Sequence, residues 1–450
     1  MRADAPVETG ALTAPGASTR SWRRATMWVT VCSLAFLAVY ATCNWITSRR
    51  TDIDTWCFDW ELRLVPFVPA MIVPYWSIDL LFVGSFFLCS TRRELDVHAR
   101  RILLAVGGAG ACFLLFPLRL AFPRPPVAGA LGVLFDLLRG FDAPHNLFPS
   151  LHIALRTLLA VVYVRHSWGA LRWVVCIWFS LIGVSTLLTH QHHVVDLAGG
   201  FVLAWLCIYA VRESSARSSV EPALRIGAYY AAGAVLAVAL AAWMWPWGAL
   251  LLWPAFALAI VAAAYFGLGP GVYRKEDGRL ARSAQMLLAP CLLGQRLSLA
   301  WYARHARPWD EVVPGVWIGR HLTSREANAA LQQGTTAVLD VTAEFSAPAA
   351  FRAANYRNIP ILDLTAPTPG HLWEAVQFVR ENRENGTVYV HCKAGYSRSS
   401  AIVGAFLLAE GLASDVEDAL ASMQRVRPTL VVRREAIEAL RKYHARQARA

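Results

Sequence analysis

The residues His391-Cys392-Lys393-Ala394-Gly395-Tyr396-Ser397-Arg398-Ser399-Ser400 carry the sharpest chemical signal in the chain. They follow an apolar run, Thr387-Val388-Tyr389-Val390, with the length of a buried strand. They precede another, Ala401 to Leu408, that reads as a helix. Cys392 and Arg398 are thus expected on one strand-to-helix turn. Successive backbone N–H groups from Lys393, Ala394, Gly395, Tyr396 and Ser397 would point inward there, at the positive end of a helix, and cradle an anion. Arg398 can fork onto two phosphate oxygens. Cys392 would lie at the cradle floor, where negative charge on sulfur is stabilised, and can attack phosphorus to form a phospho-cysteine. An acid must then protonate the leaving oxygen. Asp363, in Ile361-Leu362-Asp363-Leu364 upstream of the cradle strand, is the candidate. A structural cysteine beside an incidental arginine is the bland alternative; strand, glycine, serine and helix in sequence weigh against it.

A second constellation interrupts the apolar first half. It consists of Arg119 with Pro123-Arg124-Pro125, then Pro149-Ser150-Leu151-His152, then His190-Gln191-His192-His193 followed by Asp196. His192 and Asp196 have the spacing that shares one face of a helix. A carboxylate bonded to one imidazole nitrogen fixes the tautomer and leaves the other nitrogen as a nucleophile. His152 can protonate a leaving oxygen, with Ser150, Arg119 and Arg124 around the phosphate. Ionisable groups at membrane depth point to function, although a single interfacial histidine is as readily structural. His190 and His193 have no acidic cluster beside them, so neither a metal nor another cofactor is expected.

These residues need two kinds of scaffold. The chain has 450 residues, 56% hydrophobic and only 16% charged, too apolar for an ordinary soluble protein. Its net charge of +12 is mostly arginine, which suits cytoplasmic loops and anionic lipid; no nucleic-acid partner is expected. The nine cysteines form no C-x-x-C pair, and a bridge between Cys43 and Cys57 stays open. Residues 1–25 have the composition of a disordered cytoplasmic tail. Residues 26–269 predict an α-helical polytopic membrane domain of about eight spans. These lie near Met27–Ile46, Pro66–Leu88, Ile102–Phe122, Leu151–Val164, Trp173–Leu188, Val194–Val211, Ile226–Trp245 and Ala249–Leu268. A signal peptide is the alternative for the first. Arginines such as Arg92, Arg93, Arg100, Arg101, Arg165 and Arg172 outnumber those on the other side, Arg49, Arg50, Arg63, Arg124 and Arg139. Both termini are therefore expected in the cytoplasm, with the histidine constellation on the far side. Residues 270–305 read as a basic amphipathic linker on the inner leaflet, or as a helix packed on the next domain. Residues 306–450 alternate strands and helices and predict a compact α/β domain.

The motif HCxxGxxRS, with Pro314-Gly315-Val316-Trp317-Ile318-Gly319 before it and Arg427-Pro428 after it, resembles the dual-specificity branch of the cysteine phosphatases. The resemblance implies Cys392 as nucleophile, Arg398 as phosphate ligand, Asp363 as general acid and Ser399 as the group that helps expel the thiolate. The membrane half resembles the type 2 phosphatidic acid phosphatase superfamily. Its pattern SRxxxxxHxxxD is met by Ser185, His192 and Asp196, with Thr186 where arginine is usual; PSLH stands where PSGH is commoner. Both departures resemble the inositol phosphoceramide and sphingomyelin synthase branch, which includes phosphotransferases. This implies His192 as nucleophile, His152 as acid and Asp196 as the orienting carboxylate. Arg156, one turn from His152, is expected to supply the missing charge. The order of the halves resembles bacterial inner-membrane fusions of these two types. Lys393 in HCKAGxSRS resembles phosphatidylglycerophosphate phosphatases, favouring a phospholipid monoester over a phosphoprotein. The expectation is a bifunctional membrane phosphatase. A lipid head-group phosphotransferase and a membrane sensor coupled to a protein-tyrosine phosphatase are the alternatives.

Overall fold

The computed structural model describes residues 21–141, 144–213 and 221–447; most of the expected N-terminal tail lies outside them. The chain divides into two compact units, Met1–Ser215 and Ala216–Ala450.

The first unit is helical: α1 (Trp22–Thr47), α2 (Asp59–Leu64), α3 (Ile72–Leu88), α4 (Arg92–Leu115), α5 (Gly129–Phe141), α6 (Leu151–Arg165), α7 (Gly169–Leu188) and α8 (Val194–Ala210). Small residues let these helices approach: a Cβ on Gly110 of α4 would stand 2.4 Å from Val39 Cγ1 of α1. Arg24 of α1 forks onto Asp96 of α4 at 2.8 and 2.7 Å. The third expected span is displaced. The helix starts at Arg92, where the Thr91 side chain accepts from Glu94 N–H, and ends at Leu115 instead of running to Phe122. Pro117 explains the end: it has no N–H to continue the helix, and it pushes Phe116 out of helical geometry (φ −134°, ψ 58°). Helix α5 falls between the third and fourth expected spans.

The second unit opens with α9 (Leu224–Trp243) and α10 (Leu252–Ala263). Among the described residues six helical segments are long and apolar enough to cross a membrane: Trp22–Thr47, Pro69–Leu88, Arg92–Leu115, Gly169–Leu188, Leu224–Trp243 and Trp247–Leu268. The other two expected spans are the helices α6 and α8, of 15 and 17 residues. At about 1.5 Å per residue both fall short of a hydrocarbon core of about 30 Å.

Beyond α10 the chain forms a hairpin, β1 (Lys275–Glu276) and β2 (Arg279–Leu280), then α11 (Arg282–Leu287) and α12 (Ala289–Ala303). The hairpin is folded onto the α/β part of the chain. Ala347 N–H donates to the Gly278 carbonyl at 2.7 Å, Leu280 N–H to Ser346 Oγ at 3.0 Å, and Lys275 Nζ to Asp340 at 2.7 Å. One face of α12 stays exposed at Leu293, Leu297 and Trp301.

The α/β part is a five-stranded sheet of β3 (Trp309–Val313), β4 (Val316–Gly319), β5 (Thr335–Thr342), β6 (Asn355–Ile361) and β7 (Thr387–His391), in the order β3-β4-β7-β5-β6. Strands β4, β7, β5 and β6 are parallel; β3 is an antiparallel edge. Around it lie α13 (Ser324–Gln332), α14 (Ala349–Ala353), α15 (Pro369–Arg383), α16 (Ser397–Ala409), α17 (Val416–Val426) and α18 (Arg434–Gln447). Alternation along β7 feeds two cores. Val388 and Val390 join Val376, Val379, Ile402 and Phe406 on one face. Tyr389 joins Ala327, Ala330 and Phe351 on the other. Asp415 caps α17, its side chain accepting from Asp418 N–H at 2.8 Å.

Candidate active sites

At the carboxyl end of the central strand β7, His391 is in register with Gly319 on one neighbour and Asp340 on the other. The chain then turns through residues 392–396 into α16, where parallel sheets place ligand sites. Gly395 has φ +72°, and a Cβ there would meet the Gly319 carbonyl carbon at 2.5 Å, so this turn tolerates no side chain. Buried Arg427 braces it from outside, with Nη1 2.6 Å from Asp310 and Nη2 donating to the Ala394 carbonyl at 3.2 Å. Ser397 Oγ accepts from Arg433 N–H at 3.1 Å. Cys392 Sγ lies 3.4 Å from Ser399 Oγ.

Arg398 is buried and heavily used. Nη1 donates to Glu344 Oε2 (3.1 Å) and to the Ile361 carbonyl (2.8 Å). Nη2 donates to Glu344 Oε1 (2.7 Å) and Asp363 Oδ1 (3.0 Å). A guanidinium has five N–H groups; these four contacts leave the one on Nε. Asp363 stands just past β6, beside the cradle, as its candidate role requires, and its other oxygen accepts from Lys393 Nζ. Lys393 Nζ also donates to Gln295 Oε1 of α12 at 3.0 Å. Burial opposes charge on Asp363, but Arg398 and Lys393 outweigh it and hold its carboxyl below the usual carboxylate range. Burial likewise pushes the His391 imidazole down, which keeps that ring neutral next to the nucleophile.

Glu344 is the residue sequence reasoning missed. Its only signal was an acid directly after an apolar strand, in Thr342-Ala343-Glu344-Phe345. It also accepts from Ala343 N–H, at 3.0 Å. Lys275 was missed too. It reaches the fully buried Asp340, which also accepts from Tyr356 Oη, Thr342 N–H and Thr342 Oγ1 at 2.7–2.8 Å.

In the first unit, Ser150 caps α6 (Ile153 N–H to Oγ, 3.3 Å) and its own N–H donates to the Asp196 carbonyl at 2.9 Å. This brings His152, second residue of α6, to the loop that carries His192. Both histidines line a cavity of about 440 Å³ with Tyr75, Asp79 and Asn146. The His152 ring stacks on Tyr75 at 4.2 Å. His192 lies outside the helix, two residues before α8, so the shared helical face does not exist. Even so, His192 Nδ1 is 3.5 Å from Asp196 Oδ2. That oxygen is already engaged as the N3 carboxylate of a helix cap, accepting from His193 N–H at 2.8 Å. His152 Nε2 and His192 Nδ1 are buried with no hydrogen-bond partner among the described residues.

The other members separate by role. His193 Nε2 accepts from Ala121 N–H at 3.1 Å, so its proton sits on Nδ1, facing Glu61 Oε2 at 3.1 Å. Phe122 is stacked between His190 (4.3 Å) and His193 (4.6 Å). These two histidines pin loops together. Arg119 is exposed and its N–H donates to the Asp54 carbonyl at 2.8 Å. Arg119 and Arg124 together act on His145, whose imidazole burial first, and then both arginines, push down. Arg156 is not among the cavity-lining residues. Its Nε donates to the Phe179 carbonyl of α7 at 2.5 Å and its guanidinium lies 5.5 Å over Phe201. Cys43 and Cys57 are both free thiols.

Two known domain families match this chain in the same places. Residues 316–446 match "Dual specificity phosphatase, catalytic domain" and residues 127–210 match "PAP2 superfamily". Each match covers under half of the chain, and together they put both sites inside phosphatase-type sequence. Among curated proteins, the chain is 38% identical over 102 residues to dual specificity protein phosphatase 12 of Mus musculus, covering 22% of this chain and 30% of that protein. It is 36% identical over 85 residues to phosphatidylglycerophosphatase and protein-tyrosine phosphatase 1 of Mus musculus, covering 18% of this chain and 44% of that protein. The chain thus spans less than half the length of either. Among solved structures, the active form of Tk-PTP is 26% identical, covering 31% of this chain and 97% of its own, at a TM-score of 0.29.

Proposed function

We propose that this chain is a multi-pass membrane phosphatase with two covalent sites for phosphate monoesters, one using Cys392 and the other His192. The observation that carries it is the cradle: Cys392, Ser399 and Arg398 converge on one turn, with Asp363 3.0 Å from Arg398. A substrate phosphate takes the free Nε of Arg398 and displaces Asp363 from Nη2. Losing that cation raises the affinity of Asp363 for a proton, so binding itself arms the acid. Cys392 sulfur then bonds to phosphorus, the ester oxygen leaves with the Asp363 proton, and water cleaves the phospho-cysteine, returning its proton to Asp363. Ser399 stabilises the departing sulfur.

At the second site His192 attacks phosphorus and His152 protonates the leaving oxygen. His152 Nε2, buried without a hydrogen bond, supports this role, since an idle buried imidazole nitrogen is costly, and Asp196 Oδ2, 3.5 Å from His192 Nδ1, leaves Nε2 for the attack. The substrate we favour at both sites is a phospholipid head-group phosphate; Lys393 at the cradle rim and the membrane-crossing segments support it. The relative named as a phosphatidylglycerophosphatase and protein-tyrosine phosphatase is compatible with lipid or phosphoprotein. The order of the two halves, like that of bacterial inner-membrane fusions, supports such a membrane as the location, and the arginine distribution supports a cytoplasmic cysteine site and a histidine site outside. A second reading applies to the histidine site alone. Its cavity walls are largely apolar, including Phe36, Leu37, Phe113, Leu137 and Leu155. That lining suits transfer to a lipid alcohol as in the synthase-like branch.

The test is phosphate release and lipid analysis with the full chain in lipid nanodiscs. Wild type, Cys392→Ser and His192→Ala are compared on phosphatidylglycerophosphate, phosphatidic acid and a phosphotyrosine peptide. Each variant is expected to lose a different lipid activity, by at least about 1,000-fold. An alcohol-linked product marks the histidine site as a transferase. Cleavage of the peptide alone, dependent only on Cys392, overturns the two-site reading.

A further inference from the structure

The acid loop is held by parts of the chain that precede the catalytic fold. Its backbone is unfavourable: Leu364, next to Asp363, is a non-glycine residue with φ +62°, a left-handed conformation that needs outside support. Part of the support is local, with Thr365 Oγ1 and N–H both donating to the Leu362 carbonyl, at 2.8 and 3.3 Å. The Asp363 carbonyl accepts from Tyr265 Oη at 2.9 Å. Tyr265 is almost fully buried and belongs to the apolar segment Trp247–Leu268. There the helix ends in a π turn, Ala264–Leu268, broken by Gly267 at φ 132°. Its ring stacks on Tyr230 of α9, centroids 5.4 Å apart and planes within 10°, and Ala223 N–H donates to its carbonyl at 2.9 Å. Tyr265 is therefore fixed at ring and backbone, and its hydroxyl has one place to go. Lys393, which holds the Asp363 side chain, is itself held by Gln295.

We propose that Tyr265 is a positioning residue for leaving-group protonation: a hydroxyl on the last membrane-crossing segment fixes the backbone carbonyl of Asp363 and so aims the acid at the leaving oxygen. The inference rests on the reading of Asp363 as general acid. It makes the proton-transfer step of the cysteine site depend on the seating of two apolar helices, α9 and α10, that the catalytic fold does not contain. Nucleophilic attack by Cys392 does not depend on this bond. Its loss is felt in proportion to how much the leaving oxygen needs a proton.

That dependence gives the test. The full chain in nanodiscs, with His192→Ala to silence the other site, is assayed on p-nitrophenyl phosphate, a good leaving group, and phenyl phosphate, a poor one. Tyr265→Phe keeps the stacked ring and removes only the hydroxyl. The p-nitrophenyl to phenyl ratio of kcat/KM, which reports the step that expels the leaving oxygen, is expected to rise about 3- to 10-fold, the worth of one hydrogen bond. Asp363→Asn should raise the same ratio further, and Tyr265→Phe added to Asp363→Asn should raise it no more. An unchanged ratio in Tyr265→Phe, or an equal loss on both substrates, overturns the proposal while leaving the acid assignment intact if Asp363→Asn still responds. If Asp363→Asn leaves the ratio unchanged, the acid assignment fails and the proposal with it.

Discussion

The two candidate sites differ in their electrostatic preparation. In the cysteine cradle every charge has a partner: Arg398 with Glu344 and Asp363, Lys393 with Asp363. In the histidine cavity His152 Nε2 and His192 Nδ1 are buried without a hydrogen bond, Nδ1 standing 3.5 Å from Asp196 Oδ2. On the proposed two-site reading the difference follows from the nucleophiles. A cradle that must bind a dianion beside a sulfur needs strong cations, and buried cations survive only when paired. Imidazoles are tolerated neutral, so the second site can wait with its nitrogens exposed to a cavity. On that reading one site is armed by exchanging partners, the other by gaining them.

The comparison breaks most easily at Glu344. Glu344→Gln leaves Arg398 without its forked carboxylate, and loss of one member of a buried pair costs about 3–5 kcal/mol. A lower melting temperature for the catalytic fold, with the histidine-site activity retained, is expected. An unchanged melting temperature would mean that the pair contributes nothing. Lys393→Ala sharpens the comparison through pH. Removing a cation favours the protonated acid, so the pKa of Asp363 rises from its depressed position. The limb of kcat/KM that reports loss of the acid proton should move to higher pH, and a limb that stays still separates Lys393 from the acid. The smallest effect is expected at Arg156. Its contacts are the Phe179 carbonyl and Phe201. Arg156→Leu should therefore change histidine-site turnover by no more than about twofold; a loss above tenfold would restore it as the missing phosphate ligand.

How much was legible in the sequence followed chain distance. The cradle is one contiguous turn, so strand, nucleophile, glycine and arginine could be read from a ten-residue window. Asp363 was reachable because it follows β6, the strand that precedes β7 along the chain. Glu344, Lys275 and Tyr265 meet the site only through tertiary packing, and none sits in a pattern that periodicity detects. In the membrane half the spacing of His192 and Asp196 was right for proximity and wrong in cause. A helix start at Val194 gives Asp196 to the cap, and a loop rather than a helical face brings the imidazole near. The third span slipped because apolar content ran on past Pro117, while the helix could not.

Lys275 has a consequence for where this protein can be divided. It precedes the matched catalytic segment, which starts at residue 316, yet its ammonium is the cation on the fully buried Asp340, itself in register with His391. Burial works against charge on Asp340, and the Lys275 ammonium outweighs it, so its carboxyl is held below the usual range. The stability this gives is complete above the ordinary carboxylate pKa of about 3.9 and is lost as pH falls through the lower folded value. Excising the recognisable catalytic segment would strand a carboxylate in the interior, beside the residue that precedes the nucleophile. Homology and charge neutrality cut this polypeptide at different places, and the smallest self-sufficient enzyme is set by the second.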